Sequence, residues 1–177
     1  MKLILLTCTL LISVLGISQT HLSLESYGPV YDIENPDFKV DLNQEFKAVF
    51  DVASISDSKE NRNRKFETVA RYLRLHQVKE LENNSVKAAL VIHGSAIFDL
   101  LTHEEYSKYH KQENLQNPNY DLLSTLTEHN IEIILCGQTS KHRSISKKGL
   151  HPDVKIALSA MSALIQLQNE GYALINF

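Results

Sequence analysis

Residues 86–94 read VKAALVIHG. After its single lysine the run is apolar as far as Ile92, and it stops on a histidine and a glycine. A half-buried strand alternates polar with apolar positions, and this run does not. It fits a strand covered on both faces, as in parallel sheets flanked by helices. Two neighbours have the same character. FKAVFDV (Phe46–Val52) precedes it, and IEIILC (Ile131–Cys136) follows it and ends on a thiol.

Helical spacing fills the intervals. Phe66, Val69, Ala70 and Leu73 share a helix face after the polar start ISDSKENRNR. Ser95 is placed to cap a short helix AIFDLL, EEYSKYHKQE continues as a helical piece, and Leu115–Pro118 interrupts it. Tyr120–His129 predicts another helix, and the polar stretch TSKHRSISKKGLHP reads as a loop. A helix is then expected over Asp153–Glu170, on the spacing of Ala157, Ala160, Met161 and Leu164, with Gly171 stopping it and YALINF as a last strand. Strands and helices alternate to the end. The expected fold is α/β, an open, mainly parallel sheet of about four to five strands with helices on both faces.

The length, 177 residues, suits one domain with a real core. A formal charge of -3 supplies no basic field for a phosphate backbone, so nucleic acid is not an expected partner. Residues 1–18 read as a secretory signal peptide: Lys2, an apolar segment Leu3–Leu15, then Gly16 and Ser18 before Gln19. The segment falls short of the roughly 20 apolar residues that span a bilayer, so no membrane association is expected after cleavage. Residues 19–44, with Gly28, Pro29 and Pro36, read as an extended arm, and residues 45–177 as the domain. The expected location is the periplasm or the secreted fraction. Removing Cys8 with the leader leaves Cys136 without a partner for an internal disulfide.

Ligands of open parallel sheets sit outside the carboxyl ends of the strands. LVIHG brings His93 and Gly94 to one such end, and IILCGQ brings Cys136, Gly137 and Gln138 to another. Lys141, His142, Arg143, Lys147 and Lys148 follow as cations that would favour a thiolate, and a helix beginning after Pro152 would add its dipole. Two readings of Cys136 stand side by side: a nucleophile, or a small core residue of the kind free cysteines often are.

Several templates can be tested by counting. A cysteine phosphatase loop needs five residues between Cys and Arg, whereas six separate Cys136 from Arg143. A rhodanese-type Cys-x-x-Gly-x-Arg would need Gly and Arg where Thr139 and Lys141 stand. His103, His110, His129, His142 and His151 show no metal-ligand spacing, so no metal is expected. No glycine-rich phosphate loop or Gly-x-Ser-x-Gly elbow is present, and no cofactor is expected. Asn83-Asn84-Ser85 matches a glycosylation sequon.

Taken in order, KAVFDV, LVIHG, IILCGQT and ALSAMSALIQLQNEGYALI resemble the DsrE/DsrF-like family, in its exported single-domain branch, over roughly Phe46 to Phe177. The resemblance implies a compact α/β domain that assembles into trimers or hexamers. It also implies sulfur relay, in which a strand-tip cysteine accepts sulfane sulfur as a persulfide and passes it to a partner protein. Cys136 would then be the acceptor of a sulfur carrier or sulfurtransferase, Gly137 and Gln138 would shape its pocket, and His93 and Gly94 would line the neighbouring tip. Arg143 or His142 would stabilise the anion. Intracellular carriers of this type place an Arg-Gly pair after the cysteine region, where Arg143 is followed by Ser144. A non-catalytic oligomeric module that holds a small anion or a partner protein is the alternative.

Overall fold

The computed structural model describes residues 23–41, 43–78 and 86–176. The leader expected at residues 1–18, with Cys8, and the Asn83–Ser85 sequon lie outside the described residues.

Among the described residues, five strands form one parallel sheet: β1 Phe46–Val52, β2 Val86–Ile92, β3 Glu132–Cys136, β4 Lys155–Ala157 and β5 Ala173–Asn176. Their order is β4-β3-β2-β1-β5. The helices are α1 Arg64–Val78, α2 His103–His110, α3 Tyr120–Glu128, α4 Gly137–His142 and α5 Ala160–Asn169. β2 lies at the centre, which is why its sequence does not alternate. Leu90 and Ile92 face one core while Ala89 and Val91 face the other.

The two faces are covered unequally. On one, Phe50, Val52, Leu90, Ile92 and Leu135 pack against Phe66 and Val69 of α1 and Leu122 and Leu126 of α3. On the other, Val49, Ala89, Val91, Ile134 and Cys136 pack against Ala160, Ala163 and Leu167 of α5. The arm is anchored before it turns outward: Tyr27 is fully buried beneath the Arg62 guanidinium, 5.3 Å from its ring centre. Past Gly28 it exposes Tyr31, Ile33, Phe38 and Val40.

The helix expected over Asp153–Glu170 is corrected. Lys155–Ala157 instead forms β4, in register with Ile134–Cys136 of β3. Hydrogen bonds to the sheet edge outweigh a local helical pattern there, and α5 starts only after Ser159. Ser159 caps it reciprocally with Ser162, a box without the glutamate that usually advertises one. The loop expected after the thiol also changes, because Gly137–His142 is helical directly after Cys136.

Two substitutions test this account by thermal or denaturant unfolding. Leu90→Ala, at a fully buried position of the central strand, should cost about 3 kcal/mol. Ser159→Ala, which removes the cap of α5, should cost about 1 kcal/mol.

Candidate functional site

Parallel pairing sets the β2 and β3 tips side by side. Ile92 pairs with Leu135, so His93 follows β2 at the level where Cys136 ends β3. Gly94 closes the gap: its N–H donates to the Thr139 hydroxyl oxygen at 3.3 Å. It needs to be glycine, since φ is 58° and a Cβ would meet the Ala53 carbonyl oxygen at 2.6 Å. Gly137 is required for a different reason, because a Cβ there would run into the carbonyl oxygen of Ala157 on β4.

Cys136 is 6% exposed and stands as the N-cap residue of α4. Its side chain makes no regular capping hydrogen bond, yet its surroundings favour the anion. Burial pushes the thiol pKa up. The N–H and hydroxyl of Thr139 and the N–H groups of Ala160 and Gln138 outweigh burial, and the net shift is downward. The Ala160 N–H comes from the start of α5, so two chain segments address one sulfur.

His93 has a partner that sequence reading missed. Its Nε2 lies 3.0 Å from Oδ1 of Asp51, near the end of β1 and on the α5 face by its pairing with Val91. A carboxylate hydrogen-bonded to an imidazole fixes the orientation of the ring. Three strand ends therefore contribute an acid, an imidazole and a thiol, and FDV read as an ordinary strand end because nothing local marks Asp51.

Other expected residues are placed elsewhere or only touch the site. Gln138 is exposed and donates from Nε2 to the Leu158 carbonyl oxygen at 3.2 Å, tying α4 to the β4–α5 turn. The Arg143 guanidinium lies 5.5 Å from the centre of the Phe98 ring, which itself stacks on Tyr109. His142 and Lys141 are exposed in the last turn of α4, and Lys147 donates to the carbonyl oxygens of Pro152 and Val154. The polar contacts at the sulfur come from backbone N–H groups and Thr139, not from these cations.

A second missed feature is the platform beneath the site. Asp99 is fully buried and accepts from the Ser56 N–H at 2.8 Å, the Ser56 hydroxyl at 3.0 Å and Asn63 Nδ2 at 2.8 Å. Burial raises its pKa despite these donors. Asn63 also donates its backbone N–H to Asn119, and Asn117 donates to the Asp99 and Leu101 carbonyl oxygens. This network locks the segment after β1 onto the segment after β2, beside the His93 tip.

A Ser-His-Asp grouping also occurs away from the strand tips. His151 is fully buried; its Nε2 lies 2.9 Å from the Ser124 hydroxyl, and its Nδ1 lies 3.4 Å from the Asp153 N–H and 3.7 Å from the Asp153 carboxylate. Among the described residues, no three His, Cys, Asp or Glu side chains converge as a metal site, and no helix is long and apolar enough to cross a membrane. A recess of about 810 Å³ opens between Glu132 and Lys155, at the opposite end of β3 and β4 from the thiol.

A model of the DsrE/DsrF-like family matches residues 47–177. This chain belongs to that family. Among solved structures it is similar to the ychN protein of E. coli, at 19% identity and a TM-score of 0.52 over 75% of this chain and 100% of that one. It is also similar to MTH1491 of Methanobacterium thermoautotrophicum, titled a protein of unknown function, at 18% identity and a TM-score of 0.50 over 75% and 100% of the two chains. At such identities these structures establish the shared DsrE-like fold. No curated protein matches the chain.

Three outcomes follow for the site. With a depressed pKa, the thiolate persists to lower pH than in a free thiol, so alkylation of Cys136 should already be fast where an ordinary thiol is protonated. Thr139→Val removes one donor, and the alkylation-rate profile against pH should move upward. Gly137→Ala should cost about 2 kcal/mol in unfolding experiments, because the Ala157 backbone must move.

Proposed function

We propose that this DsrE/DsrF-like protein is a sulfur carrier or sulfurtransferase that works through Cys136. The family is associated with sulfur relay. The observation that carries the reading to this chain is the set of N–H and hydroxyl donors at the Cys136 sulfur, which favours the thiolate. The thiolate attacks the outer sulfur of an anionic sulfane donor such as thiosulfate or a polysulfide. A new S–S bond forms, the donor's S–S bond breaks, and sulfite or the shortened polysulfide leaves with the electron pair. A partner protein's thiolate then attacks the outer persulfide sulfur, and Cys136 leaves as the thiolate. His93, oriented by Asp51, would take the proton from the partner's thiol to form the attacking thiolate. Gly94, Gly137 and Gln138 would shape the crevice, and the cations at Lys141, His142 and Arg143 would draw anionic donors toward it.

Export through a leader at residues 1–18, and assembly into a homotrimer or hexamer, complete the proposal. Assembly is supported by α5, which has no charged residue between Ala160 and Asn169 and exposes Met161 and Ile165. A second reading is a non-catalytic oligomeric module that holds a small anion or a partner protein. It is favoured by the 6% exposure of Cys136 beside exposed cations.

Intact-mass spectrometry after incubation with thiosulfate or polysulfide separates the two. Sulfur transfer predicts one added sulfur on Cys136, absent in Cys136→Ala, and transfer slower by roughly 100-fold or more in His93→Asn. An unmodified Cys136 across both donors, with anion binding retained in Cys136→Ser, would establish the binding module instead.

A further inference from the structure

The thiol is bordered by a surface of mixed character. Leu158 is 78% exposed, Met161 72% and Ile165 60%; Met161 and Ile165 lie one turn apart on α5, and Leu158 immediately precedes its cap. A surface helix ordinarily turns charged side chains outward, and the outward stripe of α5 is apolar. Alongside the stripe, Gln138 joins α4 to Leu158, and α4 ends in exposed Lys141 and His142 with Arg143 next. Among the described residues, no carboxylate lies within ion-pair distance of Lys141 or Arg143. A segment that fits this surface must be extended, apolar at intervals and acidic between.

The chain itself contains such a segment. Residues 30–41, VYDIENPDFKVD, place four carboxylates against one lysine and expose Tyr31 at 71%, Phe38 at 86% and Val40 at 52%. Fully extended, Tyr31 to Val40 spans about 30 Å, enough to cover the roughly 6 Å rise from Met161 to Ile165, reach Leu158 before the cap and continue onto α4. The arm of the same molecule is held elsewhere. Arg74 of α1 donates to the Gly28 carbonyl oxygen at one end of the arm, and the other end enters β1 at Phe46, at the opposite end of the sheet from Cys136. α1 also packs on the face away from α5.

We propose that the segment Val30–Asp41 of one copy lies across the α5 and α4 surface of a second copy and roofs the Cys136 crevice. Its apolar side chains cover Leu158, Met161 and Ile165, and its carboxylates face Lys141 and Arg143. The second copy thereby contributes residues to the site and controls which donors or partner thiols reach it. This docking needs no sulfur chemistry, and its test can be run with Cys136 absent.

In a Cys8→Ser, Cys136→Ser background, Lys39→Cys and Gln138→Cys chains are co-expressed, reduced, and exposed to oxidised glutathione. Both positions are exposed. The mixed disulfide, identified by mass, should form at least about ten times faster than with Glu113→Cys, an exposed position away from the arm, replacing Lys39→Cys. Charge attraction also predicts that raised salt slows it and that Glu34→Lys with Asp37→Lys removes the excess. A rate equal to the control overturns the proposal. So does an excess that survives the charge reversal, or a disulfide that closes within a single chain bearing both Lys39→Cys and Gln138→Cys.

Discussion

The structure depends on the parallel ladder between β2 and β3. Four residue pairs, Ala89 with Glu132 through Ile92 with Leu135, align the two strands so that they finish together. Parallel strands end on the same side of a sheet, and their next residues project from a common edge. His93, Gly94, Cys136 and Gly137 are therefore neighbours by register. A shift of one residue would turn Cys136 from the α5 face to the α1 face and dismantle the site.

Buried backbone then acts on the ionisation of the thiol. A thiol in an apolar setting prefers to stay protonated, and Cys136 has such a setting on its α5 side. The turn from β3 into α4 and the start of α5 offset this with N–H groups that have no helical acceptor of their own. Positive charge from exposed side chains, by contrast, is screened by solvent and acts at longer range. The cations after Cys136 suit the capture of anions, and the fixed amides suit the stabilisation of charge on sulfur.

The sheet was legible because the central strand's lack of alternation, the helical spacing of Phe66, Val69, Ala70 and Leu73, and the order of the blocks are all local patterns. That His93 and Cys136 each end a strand was legible, and whether those strands are neighbours is decided by the β2–β3 pairing. β4 was not legible, because three residues hydrogen-bonded to a sheet edge leave no periodic trace and are followed directly by helical spacing. Asp51 and Thr139 were missed for a related reason. Asp51 acts through a partner 42 residues away, and Thr139 acts through an N–H and a hydroxyl whose direction is set by α4. The cations were conspicuous in sequence, yet Arg143 is held over Phe98 and Lys147 is bound to carbonyl oxygens.

The central claim is that fixed amides lower the pKa of the Cys136 thiol. Its most direct test is the ultraviolet absorbance of the thiolate as a function of pH, taken as the difference between the Cys8→Ser protein and the same protein with Cys136→Ser. The account predicts a single transition with its midpoint below that of an ordinary cysteine. A midpoint at or above the ordinary value would contradict it and leave Cys136 as a packed residue of the α5 core.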